Sequence, residues 1–81
     1  MHLEIITPDK RVFSGEVTMA TFPGIKGSFQ VLNNHAPLIS TLDKGKISLR
    51  TAQGEQSMMV DGGVVEVLNN QIIVLAEAVI G

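Results

Sequence analysis

The feature that most constrains this chain is a hydrophobic period of two, broken by turn residues roughly every 8 to 12 positions. Alternation of this kind sends successive side chains to opposite faces, so it builds half-buried strands. Lys46-Ile47-Ser48-Leu49-Arg50 shows it most cleanly, with Ile47 and Leu49 to one side and the polar residues to the other. No segment carries a 3.6-residue apolar stripe long enough for a helix. The expected strands are 2–7, 11–13, 16–22, 28–32, 35–42, 46–50, 55–60, 64–68 and 71–76. Pro8-Asp9-Lys10, Ser14-Gly15, Pro23-Gly24 with Gly27, Asn33-Asn34, Asp43-Lys44-Gly45, Gln53-Gly54, Asp61-Gly62-Gly63 and Asn69-Asn70 are the expected breaks. The run 71–76 is almost unbroken in its apolarity and reads as a central strand. The tail 77–81 is too short to assign. Many short strands with regular turns give an all-β domain, a flattened β-sandwich or barrel, spanning residues 1–81.

Composition closes off several functions. Eighty-one residues with 44% hydrophobic and 17% charged side chains suffice for one modest core and exclude disorder. Without cysteine there is no disulfide scaffold, thiolate metal site or cysteine nucleophile, and a reducing compartment fits. A net charge of −2 and only three phenylalanines as aromatics give neither a basic footprint nor a stacking platform for nucleic acid. No apolar run approaches the roughly 20 residues that span a bilayer, so no membrane insertion is expected. The two histidines, His2 and His35, have no Gly-x-Ser-x-Gly elbow beside them, and the eight acidic residues show no metal spacing. Neither catalysis nor a cofactor or metal site is expected. Gly24-Ile25-Lys26-Gly27-Ser28 has the composition of a phosphate loop but not its spacing, and no helix is expected after it. It reads as a hairpin turn with two glycines at positive φ.

The stretch Gly27 to Ile39 has two parts with different demands. Phe29, Val31 and Leu38 suit a core, whereas Asn33-Asn34-His35 is a polar loop closed by Pro37. His35 admits two readings: a strand-edge histidine bonded locally, or a loop residue presented to a partner. Met19, Met58 and Met59 read as packing residues.

Four ordered segments then matter together. They are His2-Leu3-Glu4-Ile5-Ile6-Thr7-Pro8 with Phe13-Ser14-Gly15-Glu16-Val17; His35-Ala36-Pro37-Leu38-Ile39 with Lys44-Gly45; Asp61-Gly62-Gly63-Val64-Val65-Glu66-Val67; and Ile73-Val74-Leu75-Ala76. In this order the chain resembles the N-terminal β-sandwich domain of the epsilon subunit of F-type ATP synthases, from His2 to about Ala78. The resemblance implies a sandwich of about ten strands. It also implies a non-catalytic rotor subunit of the central stalk, holding the gamma subunit to the membrane c-ring of a proton- or sodium-translocating synthase. Its place would be peripheral, at the cytoplasmic face of a bacterial cell membrane. By the same resemblance Gly27, Ser28, Asn33, Asn34 and His35 meet the c-ring, and Ser40, Thr41 and Leu42 lie nearer gamma.

The chain departs from the family pattern in three places. Asn33-Asn34 stands where Pro-Gly is usual, and Ser28-Phe29-Gln30 where Glu-Leu-Gly is frequent, which replaces a ring-facing carboxylate by a hydroxyl. The sequence ends at Gly81, before the two C-terminal helices that inhibit ATP hydrolysis in many members; a naturally short member, without helical inhibition, is expected over a piece of a longer chain. The alternative function is a lipoyl- or biotinyl-carrier domain, with Lys44 as the modified residue at a hairpin tip. A small ligand-binding barrel is a third possibility, but nothing marks a pocket.

Overall fold

Two long strands organise the molecule, and both bend. In the computed structural model, which describes residues 1–80, the chain forms eight strands and no helix among those residues. They are β1 (His2–Ile6), β2 (Arg11–Glu16), β3 (Met19–Gly24), β4 (Gly27–Leu32), β5 (Leu38–Thr51), β6 (Gly54–Leu68), β7 (Gln71–Ala76) and β8 (Val79–Ile80). Hydrogen bonding orders them β2-β1-β7-β6-β5-β3-β4, with β8 added to β6. All pairs are antiparallel except β1 with β7, which run parallel from His2↔Gln71 to Ile6↔Leu75.

The bend is visible in which side chains are buried. Along β5 the buried side is occupied by Leu38, Ser40 and Leu42, then by Ile47, Leu49 and Thr51; the parity changes across Asp43–Gly45. Along β6 it changes from Met58 and Val60 to Val65 and Val67, across Gly62-Gly63. The two changes are level with one another, since Leu42 pairs with Gly63 and Lys44 with Asp61. A single hairpin therefore passes from one layer to the other without ending its ladder, much as a strand turns a corner between packed sheets. Gly62 and Gly63 have φ of 89° and 151°, and a Cβ on Gly63 would overlap the Leu75 carbonyl oxygen. Only glycine fits that corner.

The same observation corrects two expected turns. Asp43-Lys44-Gly45 and Asp61-Gly62-Gly63 are corners inside continuous strands, not hairpin ends. Counting each long strand once per layer restores about ten strand segments, so the all-β sandwich stands while its punctuation does not. Lys44 consequently sits within β5, opposite Asp61. The hairpin tip that a carrier domain needs for its modified lysine is absent at this residue. Further boundaries also shift. Arg11 continues to Glu16 in one strand because Ser14 and Gly15 pair with Glu4 and Leu3. Pro23 lies inside β3, paired with Ser28, at the irregularity where β3 leaves the β5 ladder. A proline is tolerated there because no ladder bond is asked of its nitrogen.

The remaining turns follow their residues. Asn69 and Asn70 both take left-handed backbone (φ 51° and 61°) and close β6 onto β7 with a two-residue turn. Both-positive φ is the type I′ requirement, which asparagine meets better than most. Between the layers lie Leu3, Ile5, Phe22, Val31, Ile47, Leu49, Val60, Val65, Val67, Ile72 and Val74, with no buried polar side chain among the described residues. Each such side chain contributes about 1.5–3 kcal/mol when removed from water. Phe22 packs on Phe29 with ring centroids 5.6 Å apart.

Candidate functional site

The outward residues of the first layer are built by register. On β7, Ile72, Val74 and Ala76 point inward, so Gln71, Ile73 and Leu75 must point out. Leu75 pairs with Ile6 on one side and Val64 on the other; Ile73 pairs with Glu4 and Glu66; Gln71 pairs with His2 and Leu68. Thr41 and Ile39 of β5 extend the first two of these rows. Directly opposed side chains lie about 5 Å apart, so these rows form one continuous surface. Ile39 is 71% exposed and Leu75 56%, and Val64, Leu68 and Ile73 are also exposed. Glu66 is exposed between Ile73 and Ile39, so the face is largely apolar around one carboxylate; a surface of this kind is a candidate for interaction. At the β1–β2 end the face becomes charged. There the His2 ring nitrogens lie 3.1 and 3.3 Å from Glu16 and Glu4, and Arg11 lies 3.7 Å from Glu4.

This face was not anticipated from the sequence. The run 71–76 was expected to be a central strand, and β7 does lie between β1 and β6, but only one of its sides is buried. A strand with one buried face needs apolar residues at one parity alone. Ile73 and Leu75 were therefore the available signal.

Beside the face lies a groove of about 650 Å³ between the β3–β4 turn and the first half of β5. It is lined by Ile25, Lys26, Gly27, Ser28, Phe29, His35, Leu38, Ile39, Ser40 and Thr41 among others. The structure thus gathers Gly27, Ser28 and His35, expected at one partner, with Ser40 and Thr41, expected at another. Gly24 and Gly27 close the turn across Ile25-Lys26; only Gly27 has positive φ (124°). Gly24 is required for another reason, since a Cβ there would lie 2.7 Å from the Gly27 carbonyl oxygen.

His35 combines its two readings. Its backbone N–H donates to the Leu32 carbonyl (3.1 Å), and Nδ1 lies 2.7 Å from the Ala36 carbonyl oxygen. A carbonyl only accepts, so Nδ1 carries the proton and the ring is fixed against its own loop while bordering the groove. Asn33 and Asn34 do not line the groove. The Asn34 N–H donates to Asn70 Oδ1 at 2.8 Å, and Asn33 Oδ1 lies 3.5 Å from the N-terminal amine. Asn34 takes φ of 64°, so the asparagine that replaces the usual glycine adopts the left-handed backbone this turn needs. Leu42 requires a correction: it is 3% exposed and belongs to the core, so its side chain presents nothing to a partner.

Among the described residues no three histidine, cysteine or acidic side chains come together as metal ligands, and no helix is long and apolar enough to cross a membrane. Fold and site together define an all-β body with one largely apolar outer face and a groove beside it. Residues 1–81 match the model of the ATP synthase Delta/Epsilon chain β-sandwich domain, and the chain belongs to that family. It is 45% identical to the ATP synthase epsilon chain of Chlorobium limicola over 95% of this chain and 89% of that one. With the epsilon chain of Rhodopseudomonas palustris the identity is 40%, over 94% of this chain and 56% of the other. Two solved assemblies share the fold. A chain of the Tetrahymena thermophila mitochondrial ATP synthase central stalk and c-ring superposes with a TM-score of 0.84 at 16% identity, over 98% of this chain and 64% of that one. A chain of the Euglena gracilis mitochondrial ATP synthase (OSCP, F1 and c-ring) gives 0.89 at 18%, over 96% and 51%.

Proposed function

We propose that this protein is a non-catalytic subunit of the ATP synthase central stalk, holding the gamma subunit to the c-ring so that torque passes between them. One observation carries the reading: a folded, all-β body leaves Ile39, Val64, Leu68, Ile73 and Leu75 uncovered on one face. Such a face is stable in water only at some cost, which a permanent partner removes. Torque transmission needs stiffness, and a hairpin shared by both layers resists their sliding because a slip of one residue would turn every buried side chain outward. Gamma covers the apolar face and the adjoining Ser40 and Thr41. The c-ring meets the Ile25–Ser28 turn and the loop at His35, with Asn34 bracing that loop through Asn70 and Asn33 reaching the N-terminal amine. At Ser28 the ring contact is a hydroxyl hydrogen bond in place of an ion pair. The subunit works peripherally, at the cytoplasmic face of a bacterial membrane, whichever of proton or sodium drives the ring.

Co-purification tests this reading. Tagged protein expressed with gamma and the c-ring should bring both down in a stable complex. A protein that elutes as a monomer from an equimolar mixture with gamma refutes it.

A further inference from the structure

The groove beside the apolar face has a second property, in its backbone. Along β5 the N–H and C=O groups of alternate residues face opposite sides. The Thr41 carbonyl accepts from the Ile25 N–H at 3.2 Å, on the side away from β6. Ile39, two residues earlier, therefore directs its N–H and C=O the same way, into the groove. No strand of the described residues pairs with β5 there: its first half is laddered to β6 alone until Leu42 meets Gly24. Across the groove, β4 is also an edge, since it pairs only with β3. Two free edges thus face a cleft floored by Phe29 and Leu38.

Proteins normally guard such edges with charge or proline. The opposite edge of the sheet follows that rule, because β2 carries exposed Arg11 and Glu16. The edge Leu38-Ile39-Ser40-Thr41 carries no charge, and its isoleucine is the most exposed large apolar residue among those described. Pro37 stops the chain just before it but leaves the Ile39 groups free.

We infer that this edge accepts a β-strand from its partner: an extended segment of gamma lies along Leu38–Thr41 and continues the first layer beyond β5. The inference rests on the proposed function for the identity of that partner. Backbone bonds to the Ile39 N–H and C=O supply register, and alternate side chains of the incoming segment divide between the Phe29–Leu38 floor and the outer face. On that outer side the row through Ile39 continues to Glu66 and Ile73, so the added strand borders the largely apolar face and meets one carboxylate on it. The groove lining holds Lys26 and His35 and no carboxylate, so the segment is neutral or acidic where it passes the β3–β4 turn.

The experiment uses the full chain and purified gamma, with affinity measured for wild type, Ile39→Ala and Ile39→Pro. Proline removes the N–H that faces the groove while the β6 ladder uses the neighbouring residues, so the fold is expected to survive; thermal unfolding of each variant checks this. Ile39→Pro should bind at least tenfold more weakly than Ile39→Ala. Amide hydrogen exchange of the wild type provides a reading free of mutation: exchange at Ile39 should slow at least tenfold on adding gamma. Equal affinities for the two folded variants, or unchanged exchange at Ile39 in a formed complex, overturn strand addition while leaving the gamma partnership intact. Absence of wild-type binding removes the partnership itself.

Discussion

The two outer faces of this sandwich come from the same hairpin and the same kind of ladder, yet they differ in kind. On the first layer, β5, β6 and β7 present Ile39, Val64, Leu68, Ile73 and Leu75. On the second, the same β5 and β6 present Lys46, Ser48, Arg50, Glu55, Ser57 and Met59, joined by Thr21 from β3 and by Gln30 and Leu32 from β4. Both layers bury one face equally well, so folding does not explain the difference. The second face is mostly polar, as a solvated sheet is, with Leu32 and Met59 as its exposed apolar exceptions, and Arg50 and Glu55 pair across it at 3.0 Å. The apolar face is a surface awaiting another surface. The corner at Gly62-Gly63 makes the contrast possible, because parity reverses there and each long strand carries two independent patterns.

Both layers close on one core, and the largest expected effect follows from that. Phe22→Ala, from a fully buried position, should cost about 3–5 kcal/mol in urea unfolding. A much smaller loss would mean that the second layer contributes little to the core. Gly63→Val attacks the corner: left-handed backbone and overlap with the Leu75 carbonyl should cost about 3 kcal/mol. If its stability matches wild type, the corner is not glycine-dependent. Leu75→Asp should leave unfolding almost unchanged but weaken gamma binding by about 2 kcal/mol, roughly 30-fold. Ser48→Asp, the counterpart on the polar face, should change stability by less than about 0.5 kcal/mol and binding not at all. Equal binding losses for these last two variants would erase the distinction between the faces.

Much of the fold was legible because local chemistry decided it. Period two, the Asn69-Asn70 turn and the inward parity of Ile47 and Leu49 are properties of neighbouring residues. The corners were not legible. Asp43-Lys44-Gly45 and Asp61-Gly62-Gly63 have the residues of tight turns, and only the pairing of Leu42 with Gly63 and Lys44 with Asp61 reveals a continuous bent ladder. The site was legible in part for a similar reason. Family resemblance pointed to Gly27, Ser28, His35, Ser40 and Thr41, which the structure gathers at one groove. It also pointed to Leu42, whose burial depends on parity relative to the corner. The apolar face was not legible because the almost unbroken apolar run 71–76 reads as a central strand, although one buried face needs only Ile72, Val74 and Ala76.

Gamma is expected to dock on the largely apolar face and not on the mostly polar one. Methyl NMR of the isotopically labelled chain during titration with unlabelled gamma reads both faces at once. Shifts or broadening are expected at Ile39, Val64, Leu68, Ile73 and Leu75, with the methyl groups of Leu32, Met59 and Thr21 unmoved. Perturbation of Leu32, Met59 and Thr21 with the first group silent would contradict that expectation.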